Sequence, residues 1–340
     1  VARPTQQQRI EALLEKFDPV IREAFLASIK DIVDRARLNV IITALERGDI
    51  DSAVRATHVE TAAFQPMDAA IRQAFLEGGA TTAATMPPMK DPAGATMVFR
   101  FDVRMPAAEN WLTSHSSTAI TGIVDDQRTA IRTALTEGMA QGNNPRTTAL
   151  DIVGRTNVAT GRREGGIVGL TSQQTDYVIN ARRELLSGDP AQMRNYLGRQ
   201  RRDKRFDAQV LKAIKEGQPL DQATVTRMTG RYADRLLQLR GETVGRTESM
   251  TAINASREEA WQQAVKKGNF PAVSVRRTWH ATQDARTRDS HRHLNGETVG
   301  LNEHFSNGLR YPGDPSGPLS EIANCRCRLN YRRDYFSNLQ

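Results

Sequence analysis

The only two cysteines of this 340-residue chain stand one residue apart near its end, as Cys325-Arg326-Cys327. A disulfide between them would close a tiny, strained loop, and two thiols cannot make a disulfide framework. The fold must therefore be held by buried apolar surface, and this length can supply two or three domains with real cores. Free thiols, or thiolates on a metal, suit a chain made in a reducing cytoplasm. Hydrophobic residues make up 39% of the chain but aromatic ones only 6%. With alanine-rich stretches, that balance points to helix-on-helix packing. No apolar run of about eighteen residues occurs, so no membrane span is expected. The opening Val1-Ala-Arg-Pro-Thr-Gln-Gln-Gln8 lacks the apolar core of a signal peptide.

The formal net charge of +8 implies either polyanionic company or simple solubility. Few aromatics interleave with the arginines, so contact with nucleic acid should go to phosphates, independent of base sequence and sensitive to salt. Two groups stand out. Arg201, Arg202, Lys204 and Arg205 crowd one connection, and Arg227, Arg231 and Arg235 recur every four residues on one helix face. Met228, Tyr232, Leu236 and Leu239 form the adjacent apolar stripe. An ordinary amphipathic helix with arginine on its wet side accounts for the pattern; the functional reading is a ridge facing the phosphates of double-stranded DNA.

The chain divides into a helical region over 1–95, a middle helical region with one strand over 96–220, and an α+β module over 221–340. Asp18-Pro19 reads as a helix start, with Phe25, Ile29, Ile32 and Val33 at helical spacing behind it. Gly48 ends that pattern and Asp51 can cap the next helix; a further helix runs from Pro66 to Gly78-Gly79. Pro87, Pro88 and Pro92 mark a linker, and alternation from Met97 to Val103 predicts a half-buried strand. Helices follow over 107–142 and 145–153. The glycine-rich Gly161–Gly169 reads as a flexible turn, since it lacks the Gly-Lys-Ser/Thr of a phosphate loop. Thr171 or Ser172 then caps a helix reaching Leu186.

The last third carries the chemistry. Gly241 and Gly245 bracket a weak point before Arg246-Thr247-Glu248, and small residues beyond it (Ala252, Ala255, Ala260, Ala264) allow close packing. A carboxylate at Glu248 on that packed side needs a cation, because an unpaired buried charge is costly. Arginine pairs a carboxylate through two parallel hydrogen bonds. The expectation is a structural ion-pair network of Arg246, Glu248, Asp284, Arg286 and Arg288. The alternative makes Glu248 or Asp284 a general base beside His291. Val273, Val275, Arg277 and Trp279 alternate as one face of a strand, and a second strand is expected at Arg326–Tyr331 with Cys325 and Cys327 on one face. Two thiols with His291 could bind one zinc ion, completed by Asp284 or His293; small buried thiols in a core are the other reading. No Gly-x-Ser-x-Gly elbow or His-Glu-x-x-His pair is present, while Cys325 or Cys327 with His291 is a conceivable Cys/His nucleophilic pair.

In order, Arg246-Thr247-Glu248, Trp279, the run Asp284-x-Arg286-Thr-Arg288-x-x-His291, a loop with Pro312 and the terminal Asn324-Cys325-Arg326-Cys327 resemble the phage Mu protein F-like minor head proteins, also called phage head morphogenesis proteins. The motif core covers about residues 240–333. The resemblance implies a mainly α fold, a helical N-terminal two-thirds with a short β-sheet packed on helices at the C-terminus. It also implies a virion component at the portal vertex inside the capsid, acting in head morphogenesis and in genome packaging or ejection. The partners so implied are the portal protein, the major capsid or scaffolding protein and double-stranded genomic DNA, with no membrane during assembly. The rival functions are a metal-dependent hydrolase or toxin-like effector carried in the virion, and a sequence-independent DNA-binding protein.

Overall fold

The computed structural model describes residues 4–90, 95–268 and 271–335. Helices dominate. The first half holds α1 (Gln6–Arg35), α2 (Leu38–Glu46), α3 (Ile50–Arg55), α4 (Gln65–Thr85), the short pair β1 (Met89–Lys90) and β2 (Thr96–Met97), α5 (Pro106–Ala140) and α6 (Pro145–Val153). A second short pair comes next, β3 (Arg155–Thr156) and β4 (Arg163–Glu164), then α7 (Ser172–Leu186), α8 (Pro190–Gly198), α9 (Asp207–Glu216) and the long α10 (Gln222–Lys266). The end of the chain holds β5 (Val275–His280), α11 (Asp289–His293), β6 (Thr298–Gly300), α12 (Leu319–Ile322) and β7 (Arg328–Arg333). The fold is mainly α with a small β-containing module at the C-terminus. No helix among the described residues is long and apolar enough to cross a membrane.

Contacts group the chain into two compact units, 1–24 with 67–118 and 242–340, and 25–66 with 119–241. The sequential division at 95 and 220 does not follow these lines, because α1, α5 and α10 each contribute residues to both units.

The second unit is a helical core around Phe25, Phe64, Ile131, Leu135, Ile152, Val178, Leu185, Met228 and Tyr232, all buried. Its α7 opens with a capping box, Thr171 and Gln174 exchanging side-chain and backbone hydrogen bonds. The glycine-rich run is not a loose turn: β3 and β4 pair as a hairpin, and Ile167, Val168 and Leu170 are buried behind it. Gly165 lies so close to Gly230 of α10 that a Cβ would meet its Cα at 2.6 Å.

In the first unit, β5 is the centre of an antiparallel sheet ordered β6-β5-β7. Arg277 faces Val299 on one side and Tyr331 on the other, and Trp279 faces Leu329. Val275, Arg277 and Trp279 are buried while Arg276 and Thr278 are half-exposed, as the alternation requires. Val273 precedes the strand and is exposed.

Several local expectations are corrected by packing. Asp18-Pro19 does not start a helix; α1 runs through Pro19 because Phe17, Ile21 and Phe25 bury one continuous stripe. Asp18 instead accepts a hydrogen bond from the Ser249 hydroxyl. Asp49, not Asp51, caps α3 through the Ser52 amide. Gly78 and Gly79 do not end α4 but lie inside it, Gly78 against Ser256 and Ile253 of α10 and Gly79 beneath the Phe101 ring. Gly245 is likewise no break in α10; it lets the helix touch the Asp18 carbonyl of α1. Of the strand expected over Met97–Val103 only Met97 is in one, as the end of β2, and the backbone beyond it forms a loop pinned by Asp102, whose amide donates to Gln263 at 2.9 Å. Pro92 of the linker lies outside the described residues.

Candidate functional site

The C-terminal motifs meet in one place, and local backbone geometry brings them there. Asn324 adopts a left-handed conformation with φ of 54°, which asparagine tolerates better than most side chains. Its amide donates to Thr247 Oγ1 at 3.0 Å and its side-chain nitrogen to Thr243 Oγ1 at 3.1 Å, tying the terminal motif to α10. Beyond that turn both Cys325 and Cys327 point inward and are buried, just ahead of β7. His291, on α11, is also buried and meets Trp279 edge-on.

The His291 ring is the centre of a converging donor set. Its Nδ1 lies 3.3 Å from Cys327 Sγ and 3.6 Å from Cys325 Sγ. Its Nε2 lies 3.0 Å from Glu321 Oε2, near in distance but outside hydrogen-bond alignment. Glu321 in turn accepts from the Ser290 hydroxyl. The two thiols share their protons unequally. Hydrogen bonding from Cys325 lowers Cys327 to about 5 against the opposing effect of burial, with further help from His291. The same bond, together with burial, pushes Cys325 well up. Among the described residues this trio is the group that could hold a metal ion. Beside it, a cavity of about 460 Å³ is lined by Cys325, Thr282, Arg246, Met250, Arg326 and Arg328 with acidic residues of α1.

The ion-pair network expected from the sequence is not assembled as such. Glu248 pairs with His115 at 2.8 Å, not with Arg286 or Arg288. Asp284 pairs with Arg326 through two bonds of 2.6 and 2.7 Å, which hold its carboxyl well below the usual range. So engaged, Asp284 is not among the grouped metal donors, and neither is His293, which is exposed and turned toward the Asp289 carbonyl. Arg288 reaches the Ala323 carbonyl, Arg286 donates its backbone amide to Asp284 and is exposed, and Arg246 stands 3.6 Å from Asp18. The reason is geometric: α11 and its preceding loop pack against the 321–327 segment, so their charges find partners there, while Glu248 faces α5.

A second buried cluster was missed from the sequence. Arg277 is fully buried; its Nη1 is 3.0 Å from Glu258 Oε2 and donates to the Arg310 carbonyl at 2.7 Å. Its Nε and Nη2 reach the Gly300 carbonyl, and Nη2 also reaches that of Glu303. Tyr331 donates to the same Glu258 oxygen at 2.9 Å, and Arg257 donates to the Leu329 carbonyl at 2.9 Å. Only the inward register of Arg277 on its strand signalled this.

Of the seven basic residues singled out from the sequence, three meet at one carboxylate. Asp203, almost wholly buried, is ringed by Arg205, Arg231 and Arg235 at 2.7, 3.2 and 3.4 Å. Arg202 is held by Asp207. Arg227 meets the Thr224 hydroxyl, and Arg201 and Lys204 are exposed. Arg227, Arg231 and Arg235 are thus exposed on one face of α10, with Arg231 and Arg235 also paired to the buried Asp203.

The β5-centred sheet, fastened to a long helix through the terminal Asn-Cys-Arg-Cys, lies within a stretch, residues 204–330, that matches the family described as Phage Mu protein F like protein. Among proteins of known name, an 89-residue stretch is 34% identical to Minor head protein GP7 of Bacillus phage SPP1, covering 25% of this chain and 27% of that protein. A 156-residue stretch is 24% identical to the NAD(+)–arginine ADP-ribosyltransferase EFV of Enterococcus faecalis, covering 45% of this chain and 30% of that one. The chain therefore spans about three tenths of the length of either relative. No solved structure matches it.

Proposed function

We propose that this chain is a minor head protein of a phage, a virion component that binds the portal vertex inside the capsid and acts in head morphogenesis and genome packaging or ejection. The observation that carries this reading is the family match over 204–330, which takes in the C-terminal motifs and is accompanied by the likeness to the SPP1 minor head protein. The geometry supports a structural role for the motif residues. Thr247, Asn324, Asp284 and Arg326 are spent on bonds that fasten the terminal turn to α10 and to the loop before α11. The module is the shared platform and the helical unit the adaptor to portal, capsid or scaffolding protein. Genomic DNA is met through phosphates by the exposed Arg201 and Lys204.

The test is quantitative mass spectrometry of the virions that this chain's phage produces, before and after triggered DNA release. Presence in full particles with loss from emptied ones identifies an ejected protein, and retention a fixed head element. Absence from both overturns the virion reading.

A toxin-like effector carried in the virion is the second reading, favoured by the match to an ADP-ribosyltransferase over 45% of the chain. It requires that the purified chain transfer label from NAD(+) to arginine-bearing protein. If it does not, the shared stretch is the common head module.

A further inference from the structure

We propose that His291 Nδ1, Cys325 Sγ and Cys327 Sγ form a zinc site that locks the end of the chain onto the module, with solvent as the fourth ligand. A tetrahedral zinc with bonds of about 2.3 Å to sulfur and about 2.0 Å to nitrogen sets sulfur and nitrogen roughly 3.5 Å apart. The observed separations, 3.3 and 3.6 Å, bracket that edge. All three donor atoms lie within 4.8 Å of one another and all three residues are buried. The donors are soft or intermediate, which selects zinc over magnesium or calcium.

Two further observations favour a metal over a plain thiol core. First, the imidazole presents Nδ1 to both sulfurs, while its buried Nε2 lies 3.0 Å from Glu321 Oε2, a small realignment away from the carboxylate bond that orients metal-bound histidines. Glu321 is itself held by Ser290. Second, the cavity lined by Cys325 supplies a route for the ion and room for the solvent ligand. The contributing segments lie 34 residues apart in sequence, so the ion would crosslink α11 to the turn before β7. Arg326, pointing the opposite way to Asp284, clamps the outside of the same turn.

The experiment uses the full chain, purified in reducing buffer, stripped with chelator and titrated with zinc and with cobalt. The expected result is one ion per chain and, for cobalt, thiolate charge-transfer absorption with the strong visible bands of a tetrahedral site. Cys325→Ser, Cys327→Ser and His291→Ala should each abolish these bands, whereas His293→Ala should keep them. Glu321→Gln should weaken zinc binding about 10–100-fold. Should the ligand variants fail to fold, thiol labelling of the wild-type chain decides: zinc must slow modification of both cysteines, and melting temperature must keep rising with zinc beyond saturation. A folded wild-type chain that takes up no zinc and labels equally fast with or without it overturns the proposal. So does stoichiometric binding that survives in all three ligand variants.

Discussion

Replacing Glu258 by glutamine tests the claim that the module is organised around a buried ion pair. In the wild-type chain Glu258 is the only carboxylate that meets the Arg277 guanidinium among the ion pairs described, and the side chains are 8% and 0% exposed. Removing one partner of such a pair leaves an uncompensated buried charge and costs about 3–5 kcal/mol. Glutamine still offers an oxygen to Arg277 and Tyr331, so the lower end applies, about 3 kcal/mol, or roughly a hundredfold in the folding constant. That is a large part of the ~5–15 kcal/mol available to an ordinary domain. Trp111, Trp261 and Trp279 all fall in the same unit as Glu258, and they are the only tryptophans. Tryptophan fluorescence in a urea titration therefore reads the unfolding of that unit. Arg277→Met should cost more than Glu258→Gln, because it also strands the carbonyls of Gly300, Glu303 and Arg310, each worth about 1–3 kcal/mol when buried and unpaired. A loss below about 1 kcal/mol for Glu258→Gln, or a milder effect of Arg277→Met, would refute this account of the core.

The same geometry sets four other outcomes. Glu248→Gln should cost only about 1 kcal/mol in the urea assay, since glutamine can still bond His115, while His115→Ala should cost more by also losing the stack on Trp111 at 4.6 Å. Gly245→Ala should destabilise by about 1–3 kcal/mol, because the added methyl meets the Asp18 carbonyl and Arg22 on α1. Burial raises the carboxyl of Asp314, but bonds from the Arg310 side chain and backbone outweigh it and leave it lowered. The unfolded chain then binds more protons there, so this stability is present above the ordinary value of about 3.9 and lost as pH falls through the lowered one. Asp314→Asn should flatten the acid limb of a stability–pH curve. In the basic cluster, Arg201→Ala and Lys204→Ala should weaken salt-sensitive binding to double-stranded DNA at unchanged melting temperature, whereas Arg231→Ala should lower the melting temperature by freeing one side of Asp203.

Where the chain obeys local rules, the sequence was enough. The capped helix after Thr171, the proline-led α6 after Asn144 and the alternating β5 are each specified by neighbours a few residues away. The features that escaped are specified at long range. Proline is disfavoured inside a helix, yet Pro19 sits in α1 because the buried stripe from Phe17 to Phe25 outweighs one lost hydrogen bond. Glycines read as a helix end at 78 and 79 and as a weak point at 245 are contact points, and glycine serves both purposes with the same letter. The two-unit grouping was hidden for a related reason: a helix crossing a boundary carries no break in its periodicity.

The candidate site separates the same way. Cys325, Cys327 and His291 could be singled out from type and spacing, because an extended Cys-x-Cys puts both thiols on one side and thiol and imidazole are the donor types that zinc takes. Their partners could not be chosen so. Pairing Glu248 with Arg286 or Arg288 was an argument from charge, and charge does not specify which element faces which. The carboxylate reached a histidine 133 residues away on α5, and Asp284 reached an arginine standing between the two cysteines. That second pairing has a consequence for the module. Arg326 holds Asp284 from outside while its two neighbours turn inward to His291, so a single three-residue segment binds the loop before α11 by its outer face and α11 itself by its inner one. Severing the outer bond with Arg326→Ala should therefore loosen the loop that carries His291. The loss should appear as faster thiol labelling of Cys327 at a nearly unchanged tryptophan signal, since Trp279 stays anchored by Leu329 and Phe305. Labelling no faster than wild type would mean that the inner contacts alone hold the segment.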